Sequence, residues 1–153
     1  FDVTINKGKR HGIEEGMGVI CNNGVLGIIH STSNNYSLII SVLNKESAIS
    51  ICLKKQNNYG SLKWYGFNYR QANIEGIPNH VNVKYGDTII TNGYSTIFPA
   101  GIEVGTVMSN KENSETGNQD IKISLFTDFN NINHAYIVSS DESFEQLKLE
   151  TIK

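Results

Sequence analysis

The spacing of the apolar residues, which recur in twos, most constrains what this chain can fold into. Phe1, Val3 and Ile5 alternate with Asp2, Thr4 and Asn6, and Ile121, Ile123 and Leu125 alternate with Lys122 and Ser124. Residues 48–54 read Ala-Ile-Ser-Ile-Cys-Leu-Lys. Period two puts one face of a strand in a core and the other in water, whereas a helix needs spacings of three and four. The denser runs at 25–29, 38–43, 87–91, 102–108 and 136–138 are short and rich in Ile, Val and Thr, which also suits strands. Between the runs stand Asn22-Asn23-Gly24, Asn34-Asn35, Asn57-Asn58 and Asn130-Asn131, together with many of the 14 glycines. Asn and Gly tolerate the positive φ of tight hairpin turns, so Asn23-Gly24 marks a hairpin between 17–21 and 25–29.

The expectation is therefore an all-β chain of two small antiparallel β-barrel domains with few or no helices. One helical turn is expected over 11–16, ended by Gly16 or Gly18. Residues 1–56 are assigned to the first barrel, with the junction at Asn57-Asn58, and 57–110 to the second. The stretch 110–120 has no apolar residue and reads as a solvated hairpin tip or a linker. Residues 111–139 supply closing strands that return to one barrel or the other. Residues 140–153, with Phe144, Leu147 and Leu149 near helical spacing, read as a tail or a short helix. In a chain of 153 residues either barrel is near the size where a core is marginal, so the two are expected to stabilise each other.

Charge narrows the class of partner. Thirteen basic and 15 acidic residues leave a formal charge of −2, which provides no field to recruit phosphate backbones or anionic lipid, so no nucleic-acid partner is expected. No apolar run approaches the roughly 18 residues of a membrane-spanning helix.

A search for chemistry finds no constellation. There is no Gly-x-Ser-x-Gly elbow, and the glycine-rich 12–18 lacks the Gly-Lys-Ser/Thr ending of a phosphate loop. His11, His30, His80 and His134 lie far apart and read as surface or turn histidines. Glu14-Glu15 balances Lys9 and Arg10, and Asp87 reads as a turn residue bonding its own backbone. Cys21 and Cys52 match no zinc spacing. On alternating strands they point to opposite faces, which favours two free thiols over a disulfide. No catalytic residue, metal or cofactor is expected. A hydrolase on small barrels would need a Ser or Cys beside a His, and no such motif is present.

One cluster asks for a role. Trp64, Tyr65, Phe67 and Tyr69 lie between Lys63 and Arg70. On a strand, Tyr65, Phe67 and Tyr69 share one face and Trp64 takes the other. One face then fills the core and the second is covered by a neighbouring element, or an aromatic surface faces a protein partner or sugar rings.

The run from Gly86-Asp87-Thr88-Ile89-Ile90-Thr91-Asn92-Gly93 through Phe98-Pro99-Ala100-Gly101-Ile102-Glu103-Val104-Gly105 resembles the MreC family of rod shape-determining proteins. The family pattern is Gly-Asp-x-Val-Val-Thr-Ser-Gly, a short spacer, then Phe-Pro-x-Gly-Ile-x-Val-Gly. Here Asn92 replaces the serine and Ile89-Ile90 the valines, without loss of strand character. The opening Val3-Thr4-Ile5-Asn6-Lys7-Gly8, the hairpin Asn23-Gly24-Val25-Leu26-Gly27, the segment Gly60-Ser61-Leu62-Lys63-Trp64-Tyr65-Gly66 and the closing Thr127-Asp128-Phe129 and Tyr136-Ile137-Val138 extend the resemblance over about residues 1–139. The Trp64 segment and Gly93-Tyr94-Ser95 look most like the Bacteroidota branch. Gly86, Asp87, Gly93, Phe98, Pro99, Gly101 and Gly105 read as a fold motif of turns, a buried ring and close backbone approaches.

The resemblance implies a non-catalytic scaffold of the cell-elongation machinery. It implies a location on the periplasmic side of the inner membrane, anchored by a preceding transmembrane helix and coiled coil. The implied partners are the elongation transpeptidase (a class B penicillin-binding protein), the MreD, RodA and MreB complex, and a second copy of the chain as a homo-dimer or higher assembly. An apolar segment of the transpeptidase is expected in a groove between the barrels, and Tyr65, Phe67, Tyr69 and Tyr94 are the candidate partner-binding residues. Uncovered strand edges are expected to favour self-association. The alternative is a peptidoglycan- or carbohydrate-binding module built on the aromatic cluster.

Overall fold

The structure is a computed structural model that describes residues 2–22, 24–94, 97–138 and 147–152, the last of these by backbone only. Phe1, Asn23, Ser95 and Phe144, named above, lie outside the described residues. Among the described residues the chain forms strands β1 (Asp2–Ile5), β2 (Gly18–Cys21), β3 (Gly24–Thr32), β4 (Ser37–Ser41), β5 (Ile49–Leu53), β6 (Gln56–Lys63), β7 (Gln71–Glu75), β8 (Thr88–Thr91), β9 (Glu103–Glu112), β10 (Gln119–Leu125), β11 (His134–Val138) and β12 (Leu147–Ile152). No helix among them is long and apolar enough to cross a membrane.

The strands close into two barrels, in the orders β1-β12-β11-β2-β3-β4 and β10-β7-β6-β5-β8-β9, with every pair antiparallel. The alternation seen in the sequence is the alternation of burial. In β10, Ile121, Ile123 and Leu125 are buried while Asp120 and Lys122 are exposed. The second barrel is inserted between the fourth and fifth strands of the first, so the chain crosses between them twice, through 42–48 and 126–133.

Four expectations change. First, Ile49–Leu53, placed in the first barrel, belongs to the second, and Asn57-Asn58 opens β6 instead of marking a junction. Second, the closing strands divide: β10 closes the second barrel and β11 returns to the first. Third, residues 147–152 are not helical. They form β12, which pairs with β11 and β1 and completes the first barrel. Fourth, every strand among the described residues has neighbours on both sides, so the edge pairing expected to favour self-association finds no full-length free edge there. The turn expected over 11–16 sits slightly earlier, as a 3-10 turn Lys9–His11 that ends at Gly12.

The two barrels share one continuous apolar core. Phe98, on the loop after β8, is 1% exposed. It lies so close to β2 that a Cβ on Gly18 would stand 2.6 Å from its ring. The buried Thr127 donates its hydroxyl to the Val25 carbonyl at 2.8 Å, tying the second crossing to β3. Arg70 Nη1 lies 3.8 Å from Asp128 Oδ2, and the Arg70 carbonyl accepts the Leu125 N–H at 2.8 Å.

A turn at the far end of the second barrel shows how local chemistry sets the strands. The Asp87 N–H donates to the Lys84 carbonyl (3.1 Å), and Asp87 Oδ2 accepts the Lys84 N–H (2.8 Å). Gly86, third in the turn, takes φ 86°, which a side chain would disfavour. Lys55 Nζ lies 2.7 Å from Asp87 Oδ2. Burial pushes the Asp87 carboxyl up. The Lys55 hydrogen bond, the Lys84 N–H and the charges of both lysines outweigh that and hold it below the ordinary 3.8. A carboxylate with a depressed folded pKa stabilises the fold fully above its unfolded value, and that contribution is lost as pH falls through the folded value. Asp87→Asn is therefore expected to cost about 1 kcal/mol at pH 7. The gap from the parent chain should close below the ordinary carboxylate range, as read by urea unfolding at several pH values.

Candidate functional site

The aromatic cluster is a loop, not a strand. β6 ends at Lys63 and β7 begins at Gln71, so 64–70 connects them and the shared face expected for Tyr65, Phe67 and Tyr69 does not form. Asn68 organises this loop. Its side-chain oxygen accepts the Arg70 N–H at 2.8 Å, and its carbonyl accepts the Trp64 indole N–H at 2.8 Å. The indole lies against the core and stacks on Tyr69, with ring centroids 6.4 Å apart at 25°. Tyr65 is 46% exposed, Tyr69 51% and Phe67 94%. Trp64 therefore packs inward while the other three face solvent.

Next to the loop, the outward positions of β7 are polar. Gln71 and Asn73 alternate with the buried Ala72 and Ile74. Strand register sets Lys122 of β10 beside Asn73 on one side and Lys63 of β6 on the other. Loop and strands enclose an open cleft of about 240 Å³. Three rings (Trp64, Tyr65, Phe67), three carboxamides (Asn68, Gln71, Asn73) and Lys122 line it, and no carboxylate among the described residues does.

Tyr94 sits elsewhere. It is 75% exposed and meets Tyr59 of β6 edge-on, with centroids 5.0 Å apart at 64°. Asn92 positions it: Oδ1 accepts the Tyr94 N–H at 2.8 Å, while Nδ2 donates to Ser50 Oγ at 2.7 Å and the Ile51 carbonyl at 3.2 Å. The four candidates therefore separate. Tyr65 and Phe67 line the cleft, Tyr69 backs Trp64, and Tyr94 pairs with Tyr59. A wider groove of about 640 Å³ runs beside the first crossing, floored by the half-buried Ile28 and Ile40 and flanked by Glu15, His30 and Glu46.

Two residues of the fold motif, Pro99 and Gly101, meet at Thr91, which is buried. Its hydroxyl donates to the Pro99 carbonyl at 2.7 Å and accepts the Ile102 N–H at 3.0 Å, holding 99–102 back on β8. Gly93 and Gly101 take φ 72° and 93° within the loop after β8, and Phe98 is aimed from it at β2. Gly105 lies where β9 crowds β10. Sequence reasoning did not single out Thr91, Tyr59 or Lys122. The last two become visible only once strand register places them beside the candidate rings.

Cys21 and Cys52 are free thiols. Burial pushes the Cys52 thiol up. Cys21 Sγ donates to the Gly24 carbonyl at 3.5 Å and to Thr127 Oγ1 at 3.6 Å. Among the described residues no group of three or more His, Cys, Asp or Glu stands close enough to hold a metal ion.

The family model described as the barrel core of the rod shape-determining protein MreC matches residues 2–139. The cell shape-determining protein MreC of Streptococcus pneumoniae is 25% identical over 145 residues, covering 91% of this chain and 53% of that protein. The chain thus spans about half the length of the curated relatives it matches. Among solved structures, MreC from Pseudomonas aeruginosa aligns with a TM-score of 0.82 at 18% identity, covering 90% of this chain and 88% of that one. A complex between Penicillin-Binding Protein (PBP2) and MreC from Helicobacter pylori aligns at 0.65 with 20% identity, covering 82% of this chain and 79% of that one.

Proposed function

The chain belongs to the MreC family of rod shape-determining proteins, and from that premise we propose that it is a non-catalytic scaffold that binds and organises enzymes of peptidoglycan synthesis. The observation that carries this reading is the fold it shares with the MreC of the Helicobacter pylori complex, in which that protein is bound to PBP2. The partner proposed for this chain is the elongation transpeptidase, a class B penicillin-binding protein. The chain would sit on the periplasmic side of the inner membrane, where peptidoglycan is built. MreD, RodA, the MreB filament and a second copy of the chain complete the proposed assembly.

The mechanism is binding without chemistry. An apolar segment of the transpeptidase would cover Ile28 and Ile40 in the groove beside the first crossing, and Tyr94, braced by Tyr59 and by Asn92, would anchor a neighbouring contact. An exposed, preorganised tyrosine is a typical source of binding energy at an interface. Activation requires tighter binding to the active form of the enzyme than to the inactive one.

Calorimetric titration with the soluble ectodomain of the same organism's elongation transpeptidase tests the reading. A saturable one-to-one isotherm is expected. Tyr94→Ala and Ile40→Asp, each on the outer surface of its barrel, separate the two contacts, and an affinity loss of about tenfold or more marks the one that matters. No binding by a folded chain overturns the proposal, and unchanged affinity in both variants overturns the site.

A further inference from the structure

The cleft beside the 64–70 loop has a chemistry that transpeptidase binding leaves unexplained. An apolar protein segment would favour an apolar lining, yet carboxamides are as numerous as rings in this one. Trp64 is fixed in place, with its N–H bonded to the Asn68 carbonyl at 2.8 Å and one face stacked on Tyr69. Phe67 stands 94% exposed at the rim. Asn73 and Gln71 offer both donors and acceptors, as a ligand dense in hydroxyl and amide groups requires. At about 240 Å³ the space falls below the ~300–1,000 Å³ usual for compact small-molecule sites. It is open at the side, so it admits one ring of a polymer that continues past it.

We infer that this cleft binds a single ring of an N-acetylated amino-sugar chain that carries carboxylates. The C–H face of a pyranose stacks on the aromatic rings, and the carboxamides bond its hydroxyl and acetamido groups. The charge follows from strand register. Lys63 and Lys122 flank Asn73 on β6 and β10, and among the described residues no acidic side chain lines the cleft. Neither lysine belongs to an ion pair among the described residues. A neutral sugar would leave Lys122 without a counter-charge, whereas an acidic glycan or its attached peptide carboxylates would supply one. That the glycan is cell-wall material rests on the scaffold reading above, but the chemistry of the cleft does not. In such a scaffold the site would hold the chain on the polymer that its partner enzyme extends.

Trp64 is the single tryptophan of the chain, so its fluorescence reads this cleft directly. Soluble muropeptides from a muramidase digest of peptidoglycan, and neutral chitotetraose, are titrated against the intact chain. The expected result is a saturable change in Trp64 emission with both probes, tighter with muropeptides. Phe67→Ala should weaken both at least tenfold. Lys122→Glu, at an exposed position, should weaken muropeptides at least tenfold and chitotetraose much less. Circular dichroism checks that each variant remains folded. No saturable change with either probe overturns the inference, as does binding that neither variant alters. If the transpeptidase ectodomain changes Trp64 emission and Phe67→Ala abolishes its binding, the cleft is a protein contact and the glycan assignment fails. Muropeptide binding by a folded chain that binds no transpeptidase would be failure of the scaffold reading alone, and transpeptidase binding by a chain that gives no saturable change with either sugar probe would be failure of this one alone.

Discussion

Phe98→Ala is expected to lower the stability of the chain by about 3–5 kcal/mol, the range for deleting a fully buried aromatic ring. For a chain of this size that is a fall of about 10 °C or more in midpoint temperature. The ring is 1% exposed and is carried by a loop of the second barrel, yet it fills space against Gly18 in the first. Its loss therefore removes core volume and one of the contacts that couple two marginal barrels into a cooperative unit. Thermal unfolding followed by circular dichroism should show the lower midpoint and, if the barrels uncouple, a broadened or two-step transition. A midpoint within about 2 °C of the parent chain would show that the loop is dispensable to the core.

The partner of that ring gives a stricter test. Gly18→Ala places a Cβ 2.6 Å from the Phe98 ring and 2.8 Å from the Ile97 carbonyl, so it is destabilising alone. In the double variant the ring is gone and the methyl group occupies part of the vacated space. The combined loss should be smaller than the sum of the two single losses, as expected for residues that share one cavity. Strict additivity would place the two effects in separate regions of the fold.

The same contact shows what the sequence could and could not disclose. The motif around Phe98 was legible as a buried ring on a glycine-rich loop, because such residue types have few other uses. That its neighbour is Gly18 was not, since nothing local in a chain specifies a pairing between distant strands. The assignment of 49–53 to the wrong barrel has the same origin. Period two identifies a strand but is silent about its neighbours. The turn signals misled there as well. Asn57-Asn58 resembles a turn but opens β6, while the actual connection is Lys54-Lys55, held by the Lys54 N–H on the Thr88 carbonyl and by the Lys55 ion pair with Asp87. Gln119 lies in a stretch whose lack of apolar residues signals solvent, yet it is buried. Its amide donates to the carbonyls of Pro78 and Val81, a role that only the tertiary fold creates. For the candidate site, the rings stood out by type, whereas the carboxamides and Lys122 became visible only through the pairing of β7 with β10.

Gly105→Ala is expected to be as damaging as the loss of Phe98, for a different reason. Gly105 is the third residue of β9, opposite Leu125 of β10 and Ile89 of β8, so both of its edges are paired. A Cβ there would lie 2.2 Å from the Ser124 carbonyl oxygen and 3.0 Å from its carbon. These are backbone atoms held in a closed barrel, so they cannot move aside as a flexible side chain would. Relief requires β9 and β10 to separate, which breaks ladder bonds and opens the core beneath Val104 and Val107, for a cost of about 3 kcal/mol or more. Gly101→Ala provides the comparison. Gly101 has φ 93° but nothing within 4 Å of an added Cβ, so it pays only the backbone penalty of about 1–2 kcal/mol. Denaturant unfolding should therefore rank Gly105→Ala well below Gly101→Ala, with the latter still folded at room temperature. The reverse order would mean that β9 and β10 are not packed together as described, and the closed second barrel, on which the cleft and its lysines depend, would fall with that register.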